Sequence, residues 1–139
     1  MISVHVVEDD EHLRGSLARL LTAAGYLVRA WGEADAVVAA MSGAAGVEVV
    51  MADGLRTATG ADLLDALVSV GAVAAAVRYG SGAEGPAHVL EVVRLRRITD
   101  SGDVLRAVAR AAAAAAGINT SLAAAGLLPT EGERVTDAA

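Results

Sequence analysis

Val4-His5-Val6-Val7-Glu8-Asp9, read together with Val49-Val50-Met51-Ala52-Asp53, decides the architecture. Each stretch is a short apolar run that ends in acid. That is the pattern of a buried strand delivering a carboxylate just past its carboxyl end. In an open parallel α/β sheet this edge is where ligands bind. Glu8, Asp9 and Asp53 converging there would make a hard-oxygen site suited to Mg²⁺. A carboxylate beside such a cation can accept a phosphoryl group, because the metal offsets charge on the incoming oxygens.

Outward from these two runs the chain alternates between a strand period and a helix period. Residues 2–7 read as a buried strand, and Asp10 as the N-cap of a helix carrying Leu13, Leu17, Leu20, Leu21 and Ala24, with Gly25 as its stop. Tyr26 to Trp31 reads as a second strand and Glu33 to Met41 as a helix. Val47 to Ala52 is a third strand, and Gly60 opens a helix with Leu63, Leu64, Leu67 and Val68 on its periodic positions. Ala72 to Val77 is a fourth strand, its signal weakened by alanines. Pro86 to Glu91 is at most a short helix, Val92 to Ile98 a fifth strand, and Asp100 or Ser101 caps a last helix running into Ala111–Ala116 and ending at Gly117. Such an order of βα units predicts one parallel sheet with helices on both faces. Residues 1–117 form this domain. Residues 118–139 read as a short extension, with one helix around Leu122 and Leu127-Leu128 before Pro129 and then a frayed tail.

Composition narrows the function classes. The chain of 139 residues suggests one domain, and at 55% hydrophobic it has ample material for one core. With Phe 0, Trp 1 and Tyr 2 that core must be aliphatic, and stacked-base recognition of single strands lacks its aromatic platforms. A net charge of −6 disfavours nucleic acid and anionic lipid. Cys is 0, which removes disulfides and thiolate zinc sites. No signal peptide and no bilayer-spanning apolar run is legible, so the expectation is a cytoplasmic protein without membrane or direct nucleic-acid contacts.

Ile2-Ser3-Val4-His5-Val6-Val7-Glu8-Asp9-Asp10-Glu11-His12-Leu13-Arg14, followed by Leu17, Leu20-Leu21 and Gly25-Tyr26, closely resembles the amino terminus of response-regulator receiver domains. Val49-Val50-Met51-Ala52-Asp53-Gly54-Leu55-Arg56 with Gly60-Ala61-Asp62-Leu63-Leu64 resembles their phosphoacceptor segment, and Arg97-Ile98-Thr99-Asp100 with Val104-Leu105-Arg106-Ala107-Val108 the end of the domain. The resemblance implies a flavodoxin-like, doubly wound α/β fold with a five-stranded parallel sheet in the order 2-1-3-4-5. It implies that Asp53 accepts a phosphoryl group from a histidine kinase or phosphotransfer protein. It further implies that Asp9 ligates Mg²⁺ directly, that Glu8 acts through a metal-bound water, and that the Leu55 backbone carbonyl completes the ligands. Output would pass to a downstream protein partner, or through a homodimer, by association rather than by enzymatic turnover.

The departures from that pattern are specific. The chain contains no lysine, and Arg97 stands where the family carries one (Arg96 if the register slips by one). Arginine keeps the charge but is a longer planar fork. The family's Thr or Ser at the end of the fourth strand falls near Arg78, with Ser81 the nearest hydroxyl downstream. The loop after Asp53 lacks the usual Met-Pro step, and Gly80, Gly82, Gly85 and Pro86 interrupt the region of the fourth family helix.

Plainer readings stand beside these. Glu8-Asp9-Asp10 could be helix-start acids favoured by the dipole, and Asp53-Gly54 an ordinary turn pair. Arg94, Arg96 and Arg97 read as outward charges on an edge strand rather than a nucleic-acid patch, since the chain as a whole is acidic. His5 reads as a satisfied structural histidine. Gly80-Ser81-Gly82-Ala83-Glu84-Gly85 matches a dinucleotide fingerprint in form only, because no full helix fits before the next strand. A phosphotransferase using Asp53 as nucleophile would want a second acid two residues on, where Leu55 stands. The expectation is therefore a phosphorelay receiver. Its alternative is a degenerate receiver that binds partners without phosphorylation.

Overall fold

The computed structural model describes residues 2–41, 47–53, 60–70, 73–80, 88–96 and 100–124. Five parallel strands, β1 (Ser3–Val7), β2 (Leu27–Trp31), β3 (Val47–Asp53), β4 (Val73–Tyr79) and β5 (Glu91–Leu95), lie in the order β2-β1-β3-β4-β5. Four helices accompany them: α1 (Glu11–Ala23), α2 (Ala34–Met41), α3 (Gly60–Ser69) and α4 (Ser101–Ala124). This is the expected five-stranded order.

Side-chain alternation sorts the core into two layers. Val4, Val6, Val49, Met51, Val77 and Tyr79 face α1 and α4 and meet Leu17, Leu21, Val104, Val108 and Ala111. Val7, Val50, Ala52 and Ala76 face the opposite way, onto Val37, Met41, Leu63, Leu64 and Leu67 of α2 and α3. The central strands β1 and β3 are thus apolar on both faces, which is why they read as continuous runs rather than alternating ones.

Helix α1 is closed at both ends by local chemistry. The Asp10 carboxylate accepts the His12 and Leu13 backbone N–H groups at 3.0 and 3.2 Å. At the other end Gly25, at φ 98, donates to the Thr22 carbonyl, and Tyr26 donates to that of Leu21. This is the paired carbonyl-satisfying stop that a left-handed glycine permits.

Several expectations need correction. β4 runs two residues past Val77, to Tyr79, and β5 spans Glu91–Leu95, so Arg96 already lies beyond the strand expected to reach Ile98. Helix α4 does not end at Gly117: it continues through that residue to Ala124 and takes in Leu122. A single glycine costs a helix about 1 kcal/mol, and the alanine run before it supplies an established helix that propagates past it. Nor does the stretch before β5 end in helix: residues 88–90 form a turn and Glu91 already belongs to the strand. The remainder of the Pro86 segment and the Leu127-Leu128 segment lie outside the described residues, as do Ser81, Leu55 and Arg97. Among the described residues no helix is long and apolar enough to cross a membrane.

Candidate functional site

The acid-bearing edge forms because three strands end level. Val7 of β1 pairs with Ala52 of β3, and Ala52 pairs with Arg78 of β4. The next row carries Glu8, just past β1, then Asp53, the last residue of β3, then its partner Tyr79, the last of β4. Glu8 and Asp53 therefore share one sheet edge, as the sequence predicted, with Asp9 one residue further on.

The three consecutive acids have three different surroundings. Glu8 is buried at 1% exposure. Its Oε1 accepts the Tyr79 hydroxyl at 2.7 Å and its Oε2 accepts the Asp10 backbone N–H at 2.9 Å. Its backbone is held as firmly. The Glu8 N–H donates to the Trp31 carbonyl at 3.0 Å, adding a rung to the β1–β2 ladder, and Arg14 donates to the Glu8 carbonyl at 2.8 Å. A buried carboxylate needs such donors to offset its desolvation. Asp9 is exposed at the edge, and Asp10 caps α1. Asp53 is placed by its backbone at the carboxyl end of β3.

Carboxylates at a strand edge are the donors a hard divalent cation takes. Asp9 and Asp53 fit such an ion in kind and in placement. Glu8 fits it in kind, but both of its oxygens already accept hydrogen bonds. Among the described residues no group of three acids or histidines is gathered as a ready cation cage.

Tyr79 is the residue that sequence reasoning missed. The family hydroxyl was sought near Arg78 or at Ser81, yet the hydroxyl that reaches the site among the described residues is the Tyr79 phenol. Arg78 points to the other face. It is 3% exposed and donates to Glu91 of β5 at 3.2 Å, while Glu91 also accepts Arg94 at 2.6 Å and the His88 backbone N–H at 3.1 Å. The signal that could have exposed Tyr79 was parity: it stands two residues past Val77 and directly opposite Asp53.

Two of the three histidines, His5 and His88, are held in side-chain hydrogen bonds, and His5 is the structural histidine expected. The Trp31 indole N–H can only donate, so His5 Nδ1 accepts it at 3.0 Å and the Nε2–H faces Glu48 at 2.8 Å. In the same way His88 Nδ1 accepts the Leu90 backbone N–H at 3.2 Å and Nε2 meets Asp65 of α3 at 2.6 Å.

No protein-family model matches the sequence, and no curated protein matches it. Solved structures do resemble the fold. FixJ-N superposes with a TM-score of 0.70 at 24% identity, over 80% of this chain and 93% of that one. The response regulator StyR gives 0.71 at 20% identity over 89% of this chain, which spans 65% of that longer protein. A CheY-like response regulator receiver domain protein from Methanospirillum hungatei JF-1 gives 0.63 at 18% identity, over 74% of this chain and 87% of that one. With the strand order β2-β1-β3-β4-β5 and the level, acid-bearing edge already described, the chain has the flavodoxin-like fold of response-regulator receiver domains.

Proposed function

We propose that this chain is a receiver domain of a two-component phosphorelay and that Asp53 is its phosphoacceptor. The observation that carries the reading is the row Glu8, Asp53, Tyr79, which sets an aspartate at the carboxyl end of the central strand β3 beside further carboxylates. The Asp53 carboxylate would attack the phosphorus of a phosphohistidine on a histidine kinase or phosphotransfer protein, forming an acyl phosphate as the phosphorus–nitrogen bond breaks. Asp9, Asp53 and the Leu55 carbonyl would hold Mg²⁺, whose charge offsets that of the phosphoryl oxygens. Arg97 would supply the positive charge that a lysine gives elsewhere in the family. The domain would act in the cytoplasm, not as an enzyme but by associating with a downstream protein or a second copy of itself.

One observation favours the second reading, a receiver fold used for phosphorylation-independent binding. Glu8 is buried and bonded to Tyr79 rather than turned to the edge. Incubation with acetyl phosphate and Mg²⁺, followed by intact-mass measurement, separates the two. A single phosphoryl adduct that disappears in Asp53→Asn supports the phosphorelay reading. An adduct that survives that substitution overturns the assignment of Asp53, and no adduct under any condition leaves the binding module.

A further inference from the structure

Tyr79 ends β4, yet its hydroxyl bonds a carboxylate beyond the end of β1. β3 lies between those strands. Two strand spacings separate the backbones by roughly 9–10 Å, so the phenol reaches Glu8 only by lying across the end of β3, in the row that Asp53 closes. Tyr79 is 2% exposed and Glu8 1%. A buried phenol needs an acceptor for its O–H. The Val7 carbonyl is 3.5 Å away, whereas the Glu8 carboxylate is at 2.7 Å and takes the bond.

We propose that Tyr79 is an internal competitor for Glu8: its hydroxyl holds the Glu8 carboxylate inward, so a divalent cation at the sheet edge can recruit Glu8 only by exchanging that bond. The inference rests on the receiver reading above and assigns Tyr79 a positioning role in it. A hydrated cation draws on Glu8 only if the carboxylate faces the edge, and here Oε1 faces the phenol and Oε2 the Asp10 amide. Releasing the phenol has a consequence along β4. Gly80, at φ 81, follows Tyr79 and donates its N–H to the Leu95 carbonyl of β5 at 3.1 Å. Movement of Tyr79 would therefore pass to the end of β5, and cation occupancy at β1 would be felt at the far edge of the sheet.

Titration calorimetry of the full chain with MgCl₂ tests this. Tyr79→Phe keeps the ring and removes the hydroxyl. It should bind Mg²⁺ about tenfold more tightly than wild type, the scale set by a hydrogen bond to a charged group. Adding Tyr79→Phe to a Glu8→Gln background should change affinity less than about twofold, because the exchanged carboxylate is gone. Equal or weaker binding by Tyr79→Phe overturns the competitor role, as does the same tightening in the Glu8→Gln background. If wild type binds and Tyr79→Phe matches it, only this inference falls. If neither binds, the metal reading falls and takes this inference with it. A second measurement needs no variant: in wild type the Gly80 amide resonance should move with Mg²⁺ in step with Asp9. A Gly80 signal that stays fixed while Asp9 shifts also overturns the proposal.

Discussion

Replacing Asp10 by alanine should destabilise the chain by about 1 kcal/mol while leaving cation uptake intact, whereas Asp9→Asn should do the reverse. The Asp10 backbone is extended at φ −76 and ψ 113, and its carboxylate accepts two amides of the first turn, at 3.0 and 3.2 Å. Both bonds are solvent-exposed, so water partly replaces them. That places the loss near 1 kcal/mol, mid-range for a cap. For a domain of this size it corresponds to a drop of roughly 4 °C in Tm. Asp10→Asn keeps the accepting oxygen and gives up only the charge–dipole attraction, a few tenths of a kcal/mol at an exposed helix start. Glu8 is spared in both variants because its Oε2 is bonded by the Asp10 backbone N–H, not by the side chain. Urea denaturation followed by circular dichroism, with and without millimolar Mg²⁺, reads both effects. If Asp10→Asn is as harmful as Asp10→Ala, the capping account is wrong. If Asp10→Ala loses the Mg²⁺-dependent stabilisation while Asp9→Asn retains it, the roles of the two acids are exchanged.

Three further outcomes follow from the packing. Glu91→Ala should destabilise by about 3 kcal/mol, since it breaks a buried ion pair with Arg78, whereas Arg94→Ala at a 35% exposed position should stay under about 1 kcal/mol; comparable losses in denaturant melts would refute the asymmetry. Gly25→Ala should cost about 1–2 kcal/mol because the residue sits at φ 98, and an unchanged urea midpoint would remove the left-handed stop from the account of α1. His5→Leu leaves the indole N–H of Trp31 without its acceptor, so the emission of the chain's one tryptophan should change and stability should fall by about 1–3 kcal/mol; an unaltered spectrum would sink the pairing.

The parts of the fold that were legible are those where local chemistry and tertiary position agree. β1 and β3 are buried on both faces, so their apolar runs announce them. Asp10 and Gly25 are set by backbone requirements that few residue types meet. The row that brings Glu8 and Asp53 together followed from these strands alone. What the sequence concealed depends on neighbours distant in the chain. The fourth strand read as ending at Val77 because Arg78 interrupts the apolar run. β4 carries on to Tyr79 because Glu91, across the ladder on β5, accepts the buried guanidinium. Cutting the strand at Val77 hid Tyr79 from the site. At Gly117 the error ran the other way: a residue that commonly stops helices was read as a stop, where it merely weakens one already formed.

The Glu8 carboxylate weighs on the choice between the two functional readings. A carboxylate at 1% exposure is costly to bury even with a phenol and an amide beside it. Apolar residues of similar volume in place of a buried polar pair are often neutral or stabilising. A scaffold serving only as a binding surface would therefore hold its core at least as well with an apolar residue in the place of Glu8. The charge acquires a purpose if the carboxylate can exchange its phenol for a cation at the edge where Asp9 and Asp53 stand. On that argument the burial of Glu8, which at first favours the phosphorylation-independent module, would describe the resting arrangement of a phosphorelay receiver. Under the proposal above, the Tyr79 hydroxyl would then set how much cation is needed to leave that arrangement.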